Sequence, residues 1–118
     1  MKRILIVDDK SQIRILLQAE LEDEGYDVVV ADGGRQALDK LNELDYEVGL
    51  VLLDIKMPDM NGLDVLNHIK QKKRDLPVIL LSAYHTFKQD FSSWAAEDYV
   101  VKSSDLTELK GKIANFFS

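Results

Sequence analysis

Asp8-Asp9, Asp54, Ser82 and Lys102 are the residues whose types and spacing suggest chemistry. Each follows a short apolar run: "ILIV" before Asp8, "VGLVLL" before Asp54, "PVILL" before Ser82 and "DYVV" before Lys102. Taken singly they are ordinary. Paired aspartates ahead of a helix cap it or face its dipole, a serine at a strand end makes a turn, and a lone lysine is solvated surface. Taken together they are not, because clustered carboxylates raise one another's pKa unless a cation intervenes, and an unpaired buried charge is costly. One lysine cannot neutralise three aspartates. A hard divalent cation can, and Mg²⁺ suits one or two carboxylates completed by waters and phosphate oxygens.

The elements that must position these residues alternate along the chain. Continuous apolar runs mark strands buried on both faces: residues 4–7, 26–31, 48–53, 77–82 and 98–102. Between them, apolar residues recur at helical spacing: Ile13, Leu16, Leu17 and Leu21; Ala37, Leu38, Leu41 and Leu44; Leu63, Leu66 and Ile69; Leu106, Leu109, Ile113 and Phe116. A further helix is expected in "YHTFKQDFSSWAAED", and Ser104 or Asp105 is expected to cap the last one. Gly25 is a natural stop for the first. The pattern is (βα)₅, an α/β fold with a parallel sheet covered on both faces. In such sheets ligands bind beyond the carboxyl ends of the strands, where the strand order reverses. That places Asp8, Asp9, Asp54, Ser82 and Lys102 on one edge.

The chain has 118 residues and reads as one domain, 1–118. Its net charge of −6 disfavours direct contact with nucleic acid or an acidic membrane surface. It has no cysteine, which excludes disulfides, thiol catalysis and cysteine-based zinc sites. His68 and His85 are too far apart in sequence to suggest a metal pair. The apolar run near the start is too short for a signal peptide, and no run approaches a membrane span. A cytoplasmic location is expected.

"ILIVDD", "LLDIKMPDMNG", "VILLSAY" and "DYVVK", in this order and over essentially the whole chain, resemble the response-regulator receiver domain, the CheY-like family. The resemblance implies a flavodoxin-like, doubly wound five-stranded parallel sheet of order 2-1-3-4-5. It implies that Asp54 accepts a phosphoryl group from a histidine kinase or phosphotransfer protein. A carboxylate can act as such a nucleophile, and positioning with charge neutralisation supplies most of the catalysis. Mg²⁺ would be held by Asp9, Asp54 and the Lys56 backbone carbonyl, with Asp8 helping through water. Lys102 and the Ser82 hydroxyl would take other phosphoryl oxygens, while Pro58 and Gly62 shape the loop after Asp54. Tyr99 matches the family's switch aromatic, coupled to Ser82 by a shift between two packings. The face made by the fourth helix, fifth strand and last helix would then signal to a downstream protein, with phosphorylation-dependent dimerisation among the outcomes. Lys56 and Tyr84, each two residues beyond a site residue, would flank the phosphoryl group and set its lifetime. Neither is a good base for activating water at neutral pH, so slow self-dephosphorylation is expected.

Three features depart from the family. Ser103 follows Lys102 where receivers carry a cis-proline, and a trans bond is expected because a non-proline cis bond costs about 3–4 kcal/mol. The interval from Ser82 to Lys102 is short. Ala95-Ala96 replaces the usual Gly-Ala, although alanine resists the left-handed cap that glycine accepts. Besides a single-domain regulator, the sequence fits the N-terminal regulatory domain of a longer transcription factor or effector. A flavodoxin-like cofactor binder would share the fold, but "DDKSQ" is opposite in charge to a phosphate-binding loop. A phosphatase of the haloacid dehalogenase type would need an Asp-x-Asp at the first strand and a cap insertion, and the sequence carries neither.

Overall fold

The computed structural model describes residues 2–83, 96–102 and 105–117. Five strands form one parallel sheet: β1 Arg3–Val7, β2 Asp27–Ala31, β3 Leu50–Asp54, β4 Val78–Ser82 and β5 Asp98–Val101. Their spatial order is β2-β1-β3-β4-β5. The described helices are α1 Ser11–Asp23, α2 Gly34–Glu43, α3 Gly62–Lys72 and α4 Thr107–Phe117. The helix expected between Ser82 and the fifth strand, its Ala95 terminus, Tyr84, the Ser104 cap and the Lys102–Ser103 bond lie outside the described residues.

Alternation within each apolar strand sends side chains to two separate cores. Leu5, Val7, Val51, Leu53, Val78, Leu80 and Tyr99 pack against Ala37 and Leu41 of α2 and Val65, Leu66 and Ile69 of α3. Ile4, Ile6, Leu50, Leu52, Ile79, Leu81 and Val100 pack against Leu17 and Leu21 of α1 and Leu109 and Ile113 of α4. Hence β1, β3 and β4 read as continuous apolar runs, buried on both faces, while the edge strand β2 is half-buried.

Helix ends are fixed by local hydrogen bonds. After α1, the Tyr26 N–H donates to the Leu21 carbonyl and the Gly25 N–H to that of Glu22, with Gly25 at φ +95°. This is the left-handed termination that glycine favours. The end of α2 repeats the same pattern without glycine: Tyr46 N–H to Leu41, Asp45 N–H to Asn42, with Asp45 and Tyr46 at φ 52° and 57°. Asp105 accepts the Thr107 N–H at 2.9 Å and so caps α4.

One boundary needs correction. The third strand starts at Leu50, not at Val48: Gly49 N–H donates to Arg3 O at the lip of the sheet, and ladder pairing with β1 runs only from Leu50. Leu16, one of the apolar residues at helical spacing in α1, is 44% exposed beside Ile15 at 66%.

Candidate functional site

The parallel register brings the strand ends into line. Val7 pairs with Leu53, Asp54 with Leu81 and Ser82 with Val101, so Asp8, Asp54, Ser82 and Lys102 emerge at one edge. Asp54 is the last residue of β3, still inside the sheet. The chain then turns sharply, and Gly62 returns to donate its N–H to the Ile55 carbonyl at 2.7 Å. A Cβ at Gly62 would lie 2.1 Å from the Asp54 carbonyl oxygen, so only glycine permits that approach.

Asp8, Asp9 and Asp54 each offer a carboxylate oxygen within 4.8 Å of the others. Asp8 and Asp54 are buried, while the Asp9 side chain is partly exposed. Asp8 is oriented by its own loop: Oδ1 accepts the Lys10 N–H at 2.9 Å, and the Asp8 carbonyl accepts from Arg14 Nη1 at 2.8 Å. Lys102 Nζ reaches across from β5, 2.7 Å from Asp8 Oδ2 and 3.2 Å from Asp54 Oδ1. Among the described residues, Asp54 Oδ2 is buried without a hydrogen-bond partner, while Asp8 Oδ2 has only Lys102 Nζ and Asp9 Oδ1 only Lys10 Nζ, at 3.6 Å. Buried carboxylate oxygens left in this way are costly.

The electrostatics follow from this crowding. Burial, then the neighbouring Asp8 charge, pushes the Asp54 carboxyl above its usual range, and the Lys102 and Lys10 ammonium groups offset this only in part. Burial alone would lower the Lys102 pKa, but its contacts with Asp8 and Asp54 win and hold it above the ordinary lysine value. Lys102 serves Asp8 and Asp54 and Lys10 stands 3.6 Å from Asp9, and two ammonium groups do not neutralise three crowded carboxylates. The donor set fits a hard divalent ion: three acidic side chains within reach of one centre, their oxygens aimed inward, opening to a cleft where water can complete the shell.

That cleft is lined by Lys10, Ile13, Asp54, Lys56, Ser82, Ala83 and Lys102. Four of the site residues singled out in sequence, Asp54, Lys56, Ser82 and Lys102, therefore share one opening, with Asp8 and Asp9 grouped around Asp54. Tyr99 lies elsewhere, buried in the core on the α2/α3 side. Sequence reasoning missed Lys10, Ile13 and Arg14. Their only signal was position, in the first turn after a strand-ending Asp-Asp. An apolar groove lined by Ile13, Leu16, Leu17, Leu81, Val100, Val101, Lys102, Asp105, Leu106 and Leu109 runs between α1 and α4. It shares Ile13 and Lys102 with the cleft.

Comparison with known proteins agrees with this fold. The family model described as the response regulator receiver domain matches residues 4–114. The chain is 39% identical over 112 residues to the uncharacterized transcriptional regulatory protein YkoG of Bacillus subtilis, covering 93% of this chain and 48% of that protein. It is 34% identical over 114 residues to the response regulator ArlR of Staphylococcus saprophyticus, covering 96% and 51%. The chain thus spans about half the length of the curated relatives it matches. Among solved structures, it superposes with a TM-score of 0.90 and 48% identity on the response regulator TrrA of Thermotoga maritima in complex with Mg²⁺-BeF, covering 98% of this chain and 99% of that one. A chain of the complex between the histidine kinase ThkA and TrrA gives a TM-score of 0.89 at 48% identity, covering 100% of both.

Proposed function

The chain belongs to the response-regulator receiver family, and from that premise we propose that Asp54 accepts a phosphoryl group from a phosphohistidine on a histidine kinase or phosphotransfer protein. The observation that carries this is the state of Asp54: a buried carboxylate at the end of β3, one oxygen facing Lys102 and the other without a directed partner. That oxygen attacks phosphorus as the P–N bond breaks and imidazole leaves with the electron pair. Mg²⁺, held by Asp9, Asp54 and the Lys56 carbonyl with Asp8 behind them, would neutralise charge on the transferring group. Lys102 and the Ser82 hydroxyl, both on the cleft wall, take phosphoryl oxygens. Lys102 must then divide its contacts between Asp8 and the new group.

Output is carried by Ser82 and Tyr99 through the face built on β5 and α4, read by a downstream protein or a second copy. Tyr99 already lies in the core, so the shift it reports is a repacking against the α2/α3 side. Lys56 on the cleft wall shields the phosphoryl group from in-line water, and Lys56→Asn shortens its lifetime. The relatives favour two settings for this module. The match to TrrA over nearly its full length supports a single-domain regulator, and the half-length matches to transcriptional regulators support the regulatory domain of a longer protein.

The donor protein has to reach Asp54 through the cleft, and the apolar groove between α1 and α4 opens from the same mouth. Exposed Ile15 and Leu16 sit on α1 beside it. An apolar patch so placed suits the helix of a histidine-bearing donor, and a relative 48% identical is known in complex with a histidine kinase. Incubation with Mg²⁺ and acetyl phosphate, read by intact mass, tests the whole reading. Wild type gains one phosphoryl group and Asp54→Asn none. Leu16→Asp reacts normally with acetyl phosphate but slowly with a phosphorylated donor protein. A full equivalent on Asp54→Asn would refute the assignment.

A further inference from the structure

We propose that Asp59 is a positioning residue for the metal site, stitching the loop that follows Asp54 to the first turn of α2 and so fixing the Lys56 backbone against the carboxylate cluster. The proposal rests on the metal site argued above. Residues 55–61 leave the sheet at Asp54 and return at Gly62, where the Ile55–Gly62 hydrogen bond closes the base of the loop. Something must also hold its tip, since the Lys56 carbonyl can serve as a ligand only if the backbone between those points keeps one path. Asp59 supplies the second hold. Its Oδ1 accepts the Gly34 N–H at 3.1 Å, and its Oδ2 accepts the Arg35 N–H, also at 3.1 Å.

These donors are among the unsatisfied N–H groups at the start of α2, and the helix carries no side-chain cap of its own there. The cap comes instead from a loop about twenty-five residues away in sequence. The neighbouring residues are cut to fit. A Cβ on Gly33 would lie 2.7 Å from Asp59 Oδ1, and one on Gly34 would lie 2.8 Å from the Met60 Cβ and from Val65. The N–H groups of Arg35 and Gly34 hold the Asp59 carboxyl below the usual carboxylate range, consistent with a working hydrogen-bond acceptor. Asp59 itself touches neither the carboxylate cluster nor the cleft wall, so it acts through the loop backbone.

Calorimetric titration of Mg²⁺ into the full chain, below the melting temperature of every variant, tests this. Asp59→Ala should bind Mg²⁺ about tenfold more weakly, the low end of the loss seen when outer-shell support of a metal site is removed. Asp59→Asn keeps one acceptor oxygen and should lose less. Two controls separate positioning from general damage. Gln36→Ala removes the Gln36 contact to the Asp32 N–H near the same helix end without touching the loop, and Asp39→Ala removes an equal charge from α2. Both should bind Mg²⁺ like wild type. Wild-type affinity in Asp59→Ala, or an equal loss in either control, would overturn the role of Asp59. A wild-type chain that takes up no Mg²⁺ would instead overturn the metal site on which that role depends.

Discussion

The two edges of the sheet treat charge in opposite ways. At the edge where the strands begin, charges are matched. Arg3 Nε donates to Asp27 at 2.8 Å, and Lys112 Nζ donates to Asp98 at 2.8 Å. Lys70 Nζ donates to the Leu76 carbonyl at 2.7 Å and to both oxygens of Glu97. Glu97 in turn accepts the Val78 N–H at 2.7 Å, so the start of β4, the approach to β5 and the end of α3 are locked together. At the edge where the strands finish, Asp8 and Asp54 share Lys102, Asp9 has only Lys10 Nζ at 3.6 Å, and Asp54 Oδ2 has no hydrogen-bond partner. The first edge is arranged for stability. The second retains a defect, and a defect that a cation and a phosphoryl group would repair marks a site of function.

The contrast can be broken from either side. The largest effect on stability is expected from Glu97→Ala. It removes the carboxylate partner of Lys70, leaving that ammonium its carbonyl contacts, and leaves the buried Val78 N–H unsatisfied, a loss of about 1–3 kcal/mol. Chemical denaturation should show the drop, while phosphorylation by acetyl phosphate stays intact because nothing at the far edge has changed. Loss of phosphorylation in a folded Glu97→Ala would mean the two edges are not separable.

At the other edge, substitution should stabilise. The Asp54 pKa is raised by folding, so the folded protein holds that proton more tightly than the unfolded chain. The ionised carboxylate therefore costs stability, in full above the folded pKa, and the cost is relieved as pH falls through it. Asp54→Asn should melt higher than wild type at neutral pH, with the gain shrinking toward acid. Mg²⁺ at ten times its Kd should add about 1.4 kcal/mol to wild type by mass action and little to Asp9→Ala. Differential scanning calorimetry at two pH values, with and without Mg²⁺, reads both effects. A lower melting point for Asp54→Asn would show that the cluster is already balanced.

Much of this second edge was legible in sequence because it is written in local order: an apolar run and then a polar residue, Asp8, Asp54, Ser82 and Lys102 in turn. The strand-end rule then converts four separate signals into one place. The division into two cores was not legible, since an all-apolar strand such as Leu50–Leu53 gives no sign of which face each residue serves. The exposure of Leu16 was hidden for a related reason: helical spacing fixes a stripe but not its width. Asp59 was invisible because its partners are backbone N–H groups in another element, and the signal sat in Gly33-Gly34, which reads as an ordinary break. The sharing of Lys102 between Asp8 and Asp54 depends on side-chain reach across the sheet, which no spacing rule encodes.

The central claim is that the unbalanced edge delivers Asp54, and not its acidic neighbours, to a phosphoryl group. Treating the Mg²⁺/acetyl phosphate product with borohydride reduces an acyl phosphate to the alcohol, and peptide mapping then locates the reduced side chain. A single reduced residue at position 54 is expected, dependent on Mg²⁺ during phosphorylation. Reduction at Asp8 or Asp9, or a phosphorylated chain with no reducible acyl phosphate, would contradict it.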